Sequence, residues 1–172
     1  DINKHVLPPY LLGVWLGDGT TNRPDITTAD PEIEEYIREY CGNTEQQLRV
    51  SLKPNNKAAT YQITGRKTLD ELRSIGVIGC KHIPDSYKLT SRKNRLELLA
   101  GILDSDGHLG NNYYDVVFKV KHLAEDTVFL ARSLGFASYM KPCIKKCCNT
   151  GVSGEYFRLS ISGDVSVIPT RV

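Results

Sequence analysis

Leu99-Ala100-Gly101-Ile102-Leu103-Asp104-Ser105-Asp106-Gly107 repeats the layout of Leu11-Leu12-Gly13-Val14-Trp15-Leu16-Gly17-Asp18-Gly19. The offset is constant: Gly13 to Gly101, Asp18 to Asp106 and Gly19 to Gly107 are each 88 positions. A long unit occurring twice points to two similar halves rather than to a solenoid. Each run is apolar nearly all round, as suits a helix buried on several sides. Pro8 and Pro9 fit the start of the first helix, whose leading N–H groups have no partner. Gly13 and Gly101 lack a Cβ and permit the two backbones to approach closely. Gly19 and Gly107 read as left-handed residues ending each helix. Asp18 and Asp106 then stand at the negative ends of helix dipoles, an unfavourable place for an anion. Packed side by side, the helices would bring both carboxylates to one edge, where a cation between them relieves the repulsion. The spacing therefore outlines a divalent-metal site.

Beyond these runs, alternation marks strands. Leu48, Val50 and Leu52 alternate with Arg49, Ser51 and Lys53, so one face is expected to pack and the other to stay polar. Pro54-Asn55-Asn56 is turn chemistry, and Tyr61 and Ile63 return against Gln62 and Thr64. In the second half Val116, Phe118 and Val120 alternate with Lys119 and Lys121, and Phe157, Leu159 and Ile161 with Arg158, Ser160 and Ser162. Helical spacing covers Pro31–Cys41 with Gly42 as its stop, Thr68–Gly76, and Leu123–Gly135. Ile83–Asn94 is the natural linker between halves.

The net charge of +2 is small, but its distribution is uneven. Arg49, Lys53, Lys57, Arg66 and Lys67 lie in a stretch without acids, as do Arg132, Lys141, Lys145 and Lys146, while Glu32, Glu34, Glu35 and Glu39 cluster elsewhere. Two basic stretches on separate halves fit a positive surface with an acidic back. Arg, Lys, Gln, Ser and Thr on ribbon faces are the side chains that contact phosphates and major-groove edges. The candidate DNA-binding set is Arg49, Ser51, Lys53, Lys57, Gln62, Thr64, Arg66, Lys119, Lys121, Lys141, Lys145, Lys146 and Arg158. Cys41, Cys80, Cys143, Cys147 and Cys148 are odd in number and irregular in spacing, which argues against a secreted disulfide framework and for reduced thiols rather than a zinc knuckle. With neither a basic-then-apolar leader nor a membrane-length apolar run, the chain is expected to be intracellular, in nucleus, cytoplasm or organelle.

LAGILDSDG resembles the signature of the LAGLIDADG homing endonucleases, and LLGVWLGDG resembles its degenerate form in endonuclease domains lodged within inteins. Lys81-His82-Ile83-Pro84 and Ile161-Ser162-Gly163-Asp164 with Ile168-Pro169 are similar to stretches of the same subfamily, so the resemblance spans essentially the whole chain. It implies an α+β monomer of two pseudo-symmetric halves, residues 1–90 and 91–172, with a central two-helix interface and antiparallel sheets forming a DNA-binding saddle. It further implies sequence-specific cleavage of double-stranded DNA with Mg²⁺, for which Mn²⁺ substitutes. Asp18 and Asp106 would be catalytic and hold the metal, with the Gly17 and Ser105 backbone carbonyls as further ligands and Lys81 as catalytic lysine. Asp104, matched by Leu16 in the first run, is not expected to be a shared ligand. Ser166 falls opposite Lys81, so the second half lacks a matching lysine unless Arg171 substitutes. Asp1 and Arg171-Val172 do not match splicing termini, so the endonuclease portion of an intein is expected without its splicing portion. The same fold also serves cleavage-deficient DNA-binding modules and RNA intron maturases.

Overall fold

The computed structural model describes residues 5–52, 57–146 and 153–172. Its first elements are helix α1 (Pro9–Asp18), strand β1 (Asp25–Thr28), helix α2 (Pro31–Asn43), strands β2 (Gln47–Leu52) and β3 (Ala59–Thr64), helix α3 (Lys67–Ser74) and the short helix α4 (Asp85–Lys88). The chain continues through helix α5 (Arg92–Asp106), strands β4 (Gly107–Leu109) and β5 (Tyr113–Phe118), helix α6 (Lys121–Ser133), and strands β6 (Ala137–Lys146) and β7 (Ser153–Ser162). Two antiparallel sheets result, ordered β1-β3-β2 and β4-β5-β7-β6.

The repeated runs form α1 and α5, which pack on each other more extensively than any other pair of helices. Tyr10 to Leu16 and Leu98 to Asp104 are buried without interruption, because each helix meets its twin on one side and its own sheet on another. The inner glycines make this possible. A Cβ on Gly13 would run into the Leu98 carbonyl and lie 3.0 Å from the Gly101 Cα, and one on Gly101 would meet the Tyr10 carbonyl. One hydrophobic core therefore runs through both halves, from Ile33 and Ile63 to Leu130 and Ile161.

Several expectations about helix ends are corrected. Gly19 and Gly107 are extended, not left-handed, with φ of −76° and −83°. The chain leaves each helix directly toward a strand, and glycine is needed because a Cβ would strike the carbonyl of Trp15 or Leu103 one turn earlier. Gly42 does not stop α2; Glu45 adopts the left-handed turn at φ 54° and the Gln46 N–H donates to the Cys41 carbonyl. Gly76 and Gly135 do end α3 and α6, at φ of 76° and 94°. The presumed linker is partly helical, since the Ser91 hydroxyl accepts from the Asn94 N–H and starts α5 at Arg92.

Register settles the sheet faces. Gln47, Arg49 and Ser51 on β2 stand opposite Thr64, Gln62 and Thr60 on β3, while Ala59, Tyr61 and Ile63 point into the core beneath α2. The packed face expected for β2 holds only at Leu48: Val50 and Leu52 are 41% and 80% exposed at the edge of the sheet. In the second sheet Tyr114, Val116 and Phe118 are buried under α6, leaving Tyr113, Asp115 and Val117 on the open face. Val120 and Lys121 are not part of that strand.

Candidate functional site

Asp18 and Asp106 are the last residues of α1 and α5, so parallel packing of the two helices brings their ends together. A Cβ on Gly17 would lie 3.3 Å from the Asp106 Oδ2 and collide with the Ser105 hydroxyl, which shows how tightly the second carboxylate sits against the first motif. Burial, reinforced by the Asp106 charge and opposed by Lys81, pushes the Asp18 carboxyl up to about 7. Asp106 is also raised, by burial first, with Lys81 and Lys145 pulling it back. Two partly buried carboxylates that disfavour each other's charge form a hard-oxygen donor pair that a divalent cation would satisfy.

Lys81 reaches into this space from the segment before α4. Its Nζ donates to the carbonyls of Leu16 (3.0 Å), Gly17 (3.2 Å) and Gly19 (2.7 Å), and lies 5.2 Å from the centre of the Trp15 ring. It thus caps orphan carbonyls at the end of α1 and supplies positive charge to the unfavourable end of the helix dipole. Burial pulls its pKa down to about 8, against the opposing attraction of Asp106 and Asp18. Gly17 is thereby placed at the site, its carbonyl engaged by the longest of the three Lys81 bonds. The Ser105 hydroxyl packs against Gly17 while donating to the Gly101 and Ile102 carbonyls of its own helix.

Arg171 does not complete the second half. Its guanidinium stacks 4.4 Å from Tyr10 and 4.7 Å from Tyr36, near Glu97 at 3.9 Å, and its backbone N–H donates to Asp104. Tyr10 also donates to Asp104, at 2.7 Å, so Asp104 fastens the C-terminal segment rather than facing the carboxylate pair. Ser166 bonds to Asp164 in a 3₁₀ turn. The second basic charge felt by Asp106 belongs instead to Lys145 on β6, which the sequence had placed only among DNA contacts. Asp30, at the start of α2, adds negative potential at Asp18 and was not anticipated.

Of the candidate DNA-contact residues, Arg49, Ser51, Gln62 and Thr64 share the open face of the first sheet. Lys57 and Arg66 are exposed just outside its strands. Lys141 and Arg158 stand opposite each other on the open face of the second sheet, and Lys145 shares that face opposite Gly154, its Nζ 5.9 Å from the Tyr156 ring. Lys119 is exposed immediately after β5. Lys121 is a correction: it opens α6, which covers the other face of the sheet, and sits 3.5 Å from Glu125. Lys53, Cys147, Cys148 and the Lys146 side chain lie outside the described residues; the Lys146 backbone pairs with Ser153. Among the described residues no group of three or more His, Cys, Asp or Glu side chains gathers as a metal cluster, and no helix is long and apolar enough to cross a membrane. The open-face residues Asp115, Tyr113 and Tyr139 were not foreseen; the alternation of Tyr113, Asp115 and Val117 against Tyr114, Val116 and Phe118 was their available signal.

No family model matches the chain. It is 40% identical over 135 residues to the replicative DNA helicase DnaB of Mycobacterium intracellulare, covering 77% of this chain and 20% of that protein. It is 26% identical over 168 residues to the homothallic switching endonuclease of Saccharomyces cerevisiae, covering 75% of this chain and 27% of that protein. The chain thus spans about a fifth to a quarter of the curated relatives it matches. Mesophilic variants of the homing endonuclease I-DmoI superpose with a TM-score of 0.66 at 13% identity, over 94% of this chain and 85% of theirs. I-DmoI bound to DNA and Ca gives 0.63 at 15%, over the same shares. The N-terminal LAGLIDADG domain of WhiA gives 0.55 at 11%, over 97% of this chain and 84% of its own. With both signature runs on paired helices, the chain has the fold of the LAGLIDADG homing endonucleases.

Proposed function

We propose that the protein is a site-specific endonuclease that hydrolyses one phosphodiester in each strand of double-stranded DNA at a long recognition site. The observation that carries this reading is the meeting of Asp18 and Asp106 at the helix ends between two sheets, whose open faces present Arg49, Gln62, Thr64, Lys141 and Arg158. The two halves, residues 1–90 and 91–172, would each engage one half of the DNA site, as a monomer. The yeast relative is named an endonuclease, and I-DmoI has been solved with its target DNA and Mn or Mg. The likeness to a stretch making up 20% of a replicative helicase supports an origin within a host protein, as for an intein.

Mg²⁺, or Mn²⁺ in its place, would be held by the Asp18 and Asp106 carboxylates with the Gly17 and Ser105 backbone carbonyls. Bound there, such a cation lowers the pKa of water and offsets charge on the phosphate and leaving oxygen. Asp18 and Asp106 would both have to be ionised in the ligand role, which burial and their mutual repulsion otherwise resist. Lys81 keeps its bonds to Leu16 and Gly19 and can give up the longer one to Gly17. Its desolvated charge, close to both acids, would stabilise the extra negative charge of the transition state.

The test is incubation of the full chain with a randomised duplex library and Mg²⁺, followed by sequencing of the ends. One recurrent cut site is expected, with cleavage lost and DNA binding retained in Asp18→Asn and Asp106→Asn. Absence of a defined cut, or full cleavage by either variant, would refute the assignment.

A further inference from the structure

An acid on a surface meant for phosphates needs a reason. Asp115 lies on the open face of the second sheet, opposite Ser160 on β7 and His108 on β4. Two residues along β7, Arg158 stands between Val117 and Lys141 in the register. The Asp115 Oδ2 is 3.6 Å from the Arg158 Nε, and both side chains are partly exposed. Among the described residues, Asp115 is the one partner of that guanidinium. Together with Tyr113, Tyr139, Lys141 and Ser160 the pair lines an open cleft of about 400 Å³. The contact is an ion pair on the Nε edge of the planar guanidinium, too long for a hydrogen bond.

We propose that Asp115 is a specificity-determining positioning residue: it orients Arg158 so that the guanidinium reads a guanine in the major groove of the second half-site. This rests on the endonuclease reading above. A bidentate Arg fork matches the O6 and N7 acceptors of guanine, whereas an unrestrained Arg settles as readily on a phosphate. Attraction to Asp115 biases where the Arg158 side chain lies before binding, so less freedom is lost when the base contact forms. Repulsion between Asp115 and the DNA backbone further disfavours phosphate contact at this point of the sheet, so the acid discriminates as well as orients.

The experiment selects binding sequences from a randomised duplex library in Ca²⁺ with the parent chain, Arg158→Ala, Arg158→Lys and Asp115→Asn. The parent is expected to enrich a motif containing a guanine preferred by about 5- to 150-fold at one position, the range of a good bidentate contact. Arg158→Ala and Arg158→Lys should lose that preference and leave the others intact. Asp115→Asn should relax the same position while overall binding holds or tightens. If Asp115→Asn raises affinity for all sequences alike and leaves the motif unchanged, Asp115 is a bystander and the proposal falls. It falls equally if Asp115→Asn and Arg158→Ala affect different positions, which would mean that Asp115 reads a base itself. A parent that enriches no motif would instead overturn the site-specific reading as a whole.

Discussion

Replacing Asp18 by Asn should stabilise the metal-free protein while abolishing the proposed cleavage. The Asp18 carboxyl is raised from 3.8 to about 7 by burial and by Asp106. In the unfolded chain it ionises near the ordinary carboxylate value, so between about pH 4 and 7 the native state binds a proton that the unfolded state has lost. Stability contributed by this group is therefore complete below about pH 4 and declines until the pH passes the folded value near 7. The whole displacement corresponds to on the order of 4 kcal/mol. Partial exposure screens it, so we expect about 2 kcal/mol. Asn removes the ionisation and the repulsion on Asp106 together. Urea unfolding in EDTA at pH 5 and pH 8 reads this directly: at pH 8 Asp18→Asn should exceed the parent by about 2 kcal/mol, and at pH 5 the difference should shrink. Millimolar Mg²⁺ should raise the parent's midpoint and leave the variant's unchanged, because only the parent retains both carboxylates. A variant less stable than the parent at pH 8 without metal would refute the electrostatic reasoning, whatever became of cleavage.

Gly13→Ala and Gly101→Ala each drive a methyl group into a facing backbone and should lower stability by about 3 kcal/mol, read as a drop in thermal midpoint; a neutral result would contradict the close helix approach. Lys81→Ala should slow nicking of both strands of supercoiled target plasmid, since its charge acts on both acids, whereas Lys145→Ala should slow the strand cut beside Asp106 more. Loss of a single strand's cleavage in Lys81→Ala would show that one lysine serves one half alone. Where Lys141 contacts phosphate, Lys141→Ala should flatten the salt dependence of DNA binding by about one ion, and Lys121→Ala, on the far side of the second sheet, should leave it unchanged.

The amino-acid sequence alone determined the features that depend on local pattern. The two apolar runs, their inner glycines and their terminal acids are legible because a helix projects its residues with a fixed period. From Gly13, Gly101, Asp18 and Asp106 the central interface and its carboxylate pair follow directly. Alternation likewise places Gln62, Thr64, Arg158 and Ser160 on polar strand faces. What the tertiary structure decided is which distant side chains share those faces. Lys121 continues the alternation of the strand before it, yet the chain turns into α6 and carries it to the opposite side. Arg171 lies near Ile168-Pro169 in sequence, but stacking on Tyr10 and Tyr36 holds it among aromatic rings, away from the acids. Asp115 becomes meaningful only when β5 pairs with β7 and sets it beside Arg158. Periodicity is a property of neighbours along the chain, whereas register and stacking arise from pairings dozens of residues apart, and those belong to the folded molecule.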